Sequence, residues 1–442
     1  SEMCIRDRYK TALVCLMTCA VAFFGCSCSL LEDDNNESSV SVTTSEKSST
    51  SVKTTSKPKP TEPCVYNEPK TDYAYSTLTD DYVKKLYNQI SDNIDSEYEP
   101  SFYAEGNLSE YQITQAVEAY KNDHPEVFWL KSYYEYENFD YETGIWLTYT
   151  MSGDKLVTAK KEFNTAVDTI SQSVPYGTEC EREEYIHNYI INNCDYDEEA
   201  AENDDVQDNE NDAYGALVDG KAVCEGYSKA FQILCNKADI DCIQLMGIVD
   251  SDNHVWNCVK IGGDWYQIDV TWDDVDDFIY DSHEYFNLTD SLMYEEHTLS
   301  PKYSEIDAES FLNLESWCNF YVPKCTAEKY NYHNYCYNYK YPTVSNLDDS
   351  DNVSTAIAKA AKNGEEHFVV IVDENVNYDD VYDEVRNGYM YDWLTKANQI
   401  NSDSPKLNDT CNMLYDEKSN LITFQLEYIN SVSYTHLTLP TT

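Results

Sequence analysis

From about residue 77 to residue 428, apolar positions repeat in alternating helical and strand periods. Leu78 to Ile94 and Glu110 to Tyr120 have helical spacing. Val127 to Glu137 and Gly144 to Met151 alternate as strands rich in Tyr and Trp, and Leu156 to Ile170 returns to helix. His124-Pro125-Glu126 marks the turn between helix and strand, with His124 as a cap or loop residue. Glu179 to Asn192 predicts another helix. From Val223 the apolar residues fall at Val223, Tyr227, Ala230, Phe231 and Leu234, one buried helical stripe. Gly220 breaks the chain before it, and Asp219 is a candidate cap. His254 to Ile261 reads as a strand, Gly262-Gly263 as a two-residue turn, and Asp264 to Trp272 as the returning strand. The pattern changes again near Tyr321. There follow a tyrosine run over Tyr332 to Tyr341, a helix over Val353 to Lys362, a buried strand over Phe368 to Asp373, a helix over Tyr378 to Asn398 and a strand over Leu421 to Tyr428. The chain is thus of the α+β class: an N-terminal α+β domain over 66–175, a central domain over 176–320 and a C-terminal α/β domain over 321–430.

The central domain carries the candidate chemistry. Cys224 falls in the first turn of its helix, where free N–H groups and the positive dipole end favour a thiolate. It lies seven residues before Phe231, on the core side. The turn at Gly262-Gly263 sets Trp256 opposite Asp269, which places His254 diagonal to Asp269 on the same face. A one-residue slip would turn Asp269 away. A thiol at a helix start, an imidazole and an orienting carboxylate are the parts of an activated sulfur nucleophile. Taken singly, each has a plainer reading as a buried cysteine, a strand histidine and a solvated carboxylate; Cys235, Cys242 and Cys258 fit the buried-thiol reading. The Cys224 backbone N–H is one oxyanion donor, and the sequence assigns no second. Trp256 and Trp272 are candidates for shielding the site or binding the substrate chain, or for simple core packing.

Gly220-Lys-Ala-Val-Cys224-Glu-Gly-Tyr-Ser, His254-Val-Trp256-Asn and Trp265-Tyr-Gln-Ile-Asp269-Val-Thr-Trp272-Asp resemble, in that order, the core of the transglutaminase-like superfamily, which belongs with the papain-like cysteine enzymes. Tyr285-Phe-Asn-Leu-Thr-Asp resembles the downstream part of that core in bacterial members. The likeness covers roughly 180–300 and implies a transglutaminase-like (papain-like) core, with Cys224 as nucleophile, His254 as base and Asp269 as orienting acid. It also implies a secreted, lipoprotein-type bacterial protein acting on peptide or protein amides as transglutaminase, amidase or peptidase, without a cofactor. Some members of the family have lost activity, so a module that binds peptide or glycan is the alternative, and a structural part of a cell-surface assembly a third.

Composition and the chain ends set the expected compartment. Arg6, Arg8 and Lys10 precede a mostly apolar Thr11 to Phe24, too short for a comfortable membrane span. Phe23-Phe24-Gly25-Cys26 resembles a lipobox, which makes Cys26 the candidate lipidation site, with Cys28 a weaker one; residues 1–28 read as signal and anchor to a membrane. Residues 29–65, rich in Ser, Thr, Lys and Pro, read as a disordered tether. Ser1 to Arg8 and Ser431 to Thr442 continue no neighbouring pattern and resemble translated adaptor sequence. A net charge of −51 argues against a nucleic-acid partner, whose phosphates need Lys and Arg. It favours basic substrates by steering, although solubility outside the cell is the simpler account. Of 16 cysteines, 11 lie from Cys64 onward, an odd number that leaves room for a free Cys224. No Cys-x-x-Cys pair suggests structural zinc, and Asp273-Asp274-Val-Asp276-Asp277 lacks calcium-loop spacing, so no metal is expected. The 40 tyrosines suit carbohydrate or peptide contact as well as ordinary strand positions.

Overall fold

The computed structural model describes residues 70–95, 101–202, 211–274, 282–311, 318–335, 341–345, 347, 350–373, 375–401, 406–416 and 420–429. The signal and lipobox segment with Cys26 and Cys28, the tether, Asp276 and Asp277, and the 431–442 tail lie outside them.

After a short helix at Tyr73–Thr77, the N-terminal layer holds helices α1 (Asp81–Asp95) and α2 (Glu110–Asp123). Ser109 and Gln112 form a reciprocal capping box at the start of α2, which satisfies two otherwise orphaned amides. His124 is the C-cap and stacks on Tyr120 at 4.3 Å. Strands β1 (Ser101–Glu105), β2 (Leu130–Asn138) and β3 (Glu142–Tyr149) form an antiparallel sheet in the order β1-β3-β2, and α3 (Gly153–Ser173) follows. Strand β1 escapes the sequence pattern because only Ala104 of its five residues is buried. Several aromatic side chains of this sheet and its turns face solvent, among them Tyr103, Tyr133 and Tyr141. Buried Asp123 ties the layer together, accepting the Ala74 and Tyr75 amides at 2.8 Å and the Tyr87 hydroxyl at 3.0 Å. Burial nevertheless pushes its carboxyl up to about 6.

Helices α4 (Glu179–Ile191) and α5 (Cys224–Lys237) enter the central layer. The sheet there comprises β4 (Cys242–Val249), β5 (Asp252–Ile261), β6 (Asp264–Ile268) and β7 (Thr298–Leu299), antiparallel in the order β6-β5-β4-β7. Helix α5 packs on β4 and β5. Strand β4 is nearly an unbroken apolar run, covered on both faces, so it lacks the alternation that marks a half-exposed strand. Two left-handed turns set the register: Asp250-Ser251 at φ 50° and 81° between β4 and β5, and Gly262-Gly263 at φ 63° and 93° between β5 and β6. Asn257 pairs with Ile268, so continuing the ladder puts Trp256 opposite Asp269, as the two-residue loop predicts. The returning strand is shorter than expected, however. It ends at Ile268, and Asp269 instead caps a short helix, Val270–Asp273.

One apolar core runs from Ala74 to Tyr335, so the interior is continuous through the expected boundary at 175. A separate core spans Val344 to Leu426. Around it lie α6 (Ser350–Asn363), α7 (Met390–Ile400) and a sheet of β8 (Thr343–Val344), β9 (His367–Val372), β10 (Asn412–Asp416) and β11 (Leu421–Gln425) in the order β8-β9-β11-β10, with β8 and β9 parallel. The single helix expected over 378–398 carries a π-helical turn at Val385–Tyr389. Among the described residues no helix is long and apolar enough to cross a membrane.

Gly247 shows how tightly the central sheet is drawn together. It pairs with His254, and a Cβ placed on it would meet the Thr298 carbonyl at 2.3 Å and the Trp256 ring at 2.6 Å. Gly247→Ala therefore overpacks the junction of β4, β5 and β7. Urea denaturation should show a loss of about 1–3 kcal/mol; an unchanged midpoint would mean that the ring and β7 separate freely.

Candidate active site

Helix α5 starts at Cys224, and its N-cap is Val223 rather than Asp219, which lies in a π-helical turn over Gly215–Asp219. Gly220 ends that turn at φ 71°, the left-handed conformation that glycine adopts without strain. Valine offers no capping oxygen, so the N-cap side chain leaves the first-turn amides open, and these have no intrahelical acceptor either. Those N–H groups converge at Cys224, at the positive end of a 14-residue helix.

Two hydrogen bonds fasten this helix to the strand bearing His254. Ser228 Oγ donates to the Trp256 carbonyl at 3.2 Å, and Asn257 Nδ2 donates to the Ser228 carbonyl at 3.1 Å. They set Cys224 on the His254 side of the helix, close enough for the sulfur to act on the imidazole. On its other side His254 Nε2 donates to Asp269 Oδ2 at 2.6 Å. A carboxylate only accepts, so the Nε2 proton is fixed there and Nδ1 is the nitrogen left for the sulfur.

Solvent contact falls from the sulfur to the carboxylate. Cys224 keeps 8% and His254 7% of their surfaces in contact with solvent, whereas Asp269 keeps none. Burial works against a charged imidazole, but the Asp269 carboxylate and then the Cys224 sulfur, by charge and hydrogen bond, push His254 up to about 10. Burial would likewise raise the Asp269 carboxyl. The charge and hydrogen bond of His254, with a hydrogen bond from His297, outweigh that and hold it well below the usual carboxylate range.

His297 is the residue that the sequence reading missed. Its Nε2 donates to the same oxygen, Asp269 Oδ2, at 2.9 Å. It follows the short helix Asp290–Met293, directly before β7, and no spacing in the sequence links it to the other residues. The downstream motif has a clear local task. The Tyr285 carbonyl accepts the Asp269 amide at 3.2 Å, Leu288 and Gln267 exchange backbone hydrogen bonds, and Asp290 accepts from Gln267 Nε2 at 2.7 Å. Together these hold the end of β6 where Asp269 leaves it.

The two tryptophans part company. Trp256 is 1% exposed and donates from Nε1 to Gln267 Oε1 at 2.8 Å, so it packs beneath the site and offers no surface to a substrate. Trp272 is half-buried, with its ring 6.2 Å from the His254 ring and 5.1 Å from that of His297. The acidic cluster is committed to internal bonds where it is described. Asp273 accepts from His187 Nε2 at 3.0 Å, both residues fully buried, and Asp274 meets the Tyr227 hydroxyl. His254, Asp269 and His297 could in principle hold a metal ion, since their ligand atoms lie within 4.8 Å of one another. Their N···O separations of 2.6 and 2.9 Å are those of direct charge-assisted hydrogen bonds. The nine described cysteines are thiols; Cys258 and Cys325 lie with their sulfurs 3.6 Å apart.

The coupled pair gives stability a pH signature. His254 is raised above its ordinary 6.5 in the fold, so its contribution is complete below about pH 6.5 and is lost as pH rises toward about 10. Asp269 is depressed, so its contribution is present above about pH 4 and is lost as pH falls through its lowered folded value. The difference in Tm between wild type and His254→Ala should be widest between about pH 4 and 6.5 and should shrink toward pH 10. A difference that widens from pH 7 to 10 would contradict the pairing.

Comparison with known proteins shows which family the central segment resembles. Residues 166–270 match the profile of the transglutaminase-like superfamily. Over 131 residues the chain is 28% identical to the kyphoscoliosis peptidase of Mus musculus and, equally, to that of Homo sapiens; each match covers 26% of this chain and 19% of the relative. The chain thus spans about a fifth of the length of the curated relatives it matches. A solved structure described as a TGase aligns at 16% identity over 40% of this chain and 53% of its own, with a TM-score of 0.24. The segment 166–270, which contains Cys224, His254 and Asp269, is a domain of the transglutaminase-like superfamily.

Proposed function

We propose that the protein is a thiol acyl-transfer enzyme acting on peptide or protein amides, with Cys224 as nucleophile, His254 as acid–base and Asp269 as the orienting carboxylate. The observation that carries the reading is the placement of Cys224 at the first turn of α5 beside a His254 that is hydrogen-bonded to buried Asp269. A sulfur beside an imidazolium reacts as thiolate. It attacks the amide carbon, and the carbonyl oxygen takes the electron pair and is met by the first-turn N–H groups of α5. As the tetrahedral intermediate collapses, the C–N bond breaks and the leaving amine takes a proton from His254 Nδ1, leaving a thioester on Cys224. His254 then accepts a proton from water or an amine, which attacks the thioester carbon, and the thiolate departs to restore the ion pair. Water gives hydrolysis and an amine gives cross-linking. The curated relatives are called peptidases, which favours hydrolysis. Trp272, at the rim beside His254, is the aromatic placed to border a bound chain. The same proposal has the protein exported and held by lipid on Cys26 at the outer face of a bacterial membrane, its motif and tether being the support.

Mass spectrometry after brief iodoacetamide treatment across pH 4–9 tests the chemistry. Cys224 should be labelled ahead of the other cysteines below pH 7, and His254→Ala should abolish that preference. Labelling no faster than the other thiols, or a preference that survives His254→Ala, would sink the acyl-transfer reading.

A further inference from the structure

Asp269 is wholly buried, and its two oxygens are used differently. Oδ1 accepts the Thr271 and Trp272 amides at 3.1 and 3.2 Å, fixing the carboxylate to its own short helix. Oδ2 accepts two imidazoles, His254 at 2.6 Å and His297 at 2.9 Å. The imidazoles are not equivalent. The second nitrogen of His254 is the one left for Cys224, whereas Nδ1 of His297 is buried with no hydrogen-bond partner among the described residues. A proton on that Nδ1 would be a buried donor without an acceptor, so the geometry favours the tautomer that carries its proton on Nε2 alone. The groups facing His297 are Asp269 and His254, with the rings of Trp256, Trp272 and Tyr285 around it; the Tyr285 hydroxyl in turn bonds Glu296.

We propose that His297 is a positioning residue of the reaction: an N–H donor that locks Asp269 Oδ2 against His254. The inference rests on the acyl-transfer reading. It extends the working unit from three residues to four, Cys224, His254, Asp269 and His297. The fourth member lies beyond the 166–270 segment, on the loop that brings β7 to the sheet edge.

The physical argument sets the sign of the effect. A buried carboxylate that loses one of four donors no longer has Oδ2 fixed toward His254, and a misaligned Asp269 supports a charged His254 less well. Removing the His297 donor should therefore move the acid limb of Cys224 alkylation to higher pH without changing the plateau. One charge-assisted hydrogen bond corresponds to a shift of about one pH unit or more, or roughly a tenfold slower rate at the pH where wild type is half-maximal.

The experiment is the pH–rate profile of Cys224 labelling by iodoacetamide in the full chain, for wild type and three variants whose folding is checked by circular dichroism. His297→Gln puts an N–H where Nε2 was and should keep the wild-type profile. His297→Asn, too short to reach, and His297→Leu, similar in bulk but without a donor, should both shift the acid limb. A merely space-filling role would instead leave Leu close to wild type, which would overturn the inference. If Leu fails to fold, the contrast between Gln and Asn decides. In wild type, 15N spectra of labelled histidine should place the His297 proton on Nε2 with Nδ1 bare; a proton on Nδ1 overturns the inference without any variant. Absence of preferential labelling in wild type would sink the acyl-transfer reading and this inference together, whereas an unshifted acid limb in a normally labelled His297→Leu sinks this inference alone.

Discussion

A carboxylate with no solvent contact must find all its hydrogen bonds inside the protein, and Asp269 finds four: two amides of its own short helix and two imidazoles. Leaving such a charge unpaired in a buried site costs several kcal/mol, so everything that supplies a donor is drawn to that point. The turn at Gly262-Gly263 brings β6 back to Asp269, the Tyr285 carbonyl holds its amide, and the loop before β7 delivers His297. The site depends on this convergence, since the carboxylate in turn holds His254 toward Cys224.

The helix and sheet meet the site from opposite sides. Helix α5 contributes the sulfur and a first turn left open by its valine N-cap. Strand β5 contributes the imidazole, and Ser228 and Asn257 join the two elements one turn below the thiol. Gly247 lets Trp256 and β7 close on the same spot. The polar links are few and the apolar packing around them is dense, which keeps the reacting groups in one arrangement.

A second buried pair lies one helical turn further on. Asp273 accepts from His187 at 3.0 Å and takes the Tyr285 amide on its other oxygen, also at 3.0 Å. Burial raises its carboxyl despite these donors. Asp269 and Asp273 thus begin and end one short helix, and each anchors it to a histidine from a distant part of the chain. Asp273, the buried member of the acidic run, is thereby committed to the interior.

Local signals in the sequence determined much of this molecule. The period of apolar residues located α5 with Cys224 in its first turn, and two consecutive glycines fixed a two-residue turn whose register sets Trp256 against Asp269. Those features follow from short-range geometry, in which a helix repeats every 3.6 residues and a strand every two. What depends on distant partners was not legible. Strand β4, covered on both sides, loses its alternation; β1, with one buried residue, never had it. The end of β6 was overrun because the bonds of Asp269 to the Thr271 and Trp272 amides, not any change in hydrophobic pattern, turn the chain into a helix. Trp256 became part of the packed interior because β7 closes beneath it. His297, 28 residues from Asp269 in sequence, shares an oxygen with His254 only after β7 joins the sheet edge. A lone histidine carries no periodic mark, and only the folded chain brings it to the one buried charge that needs another donor.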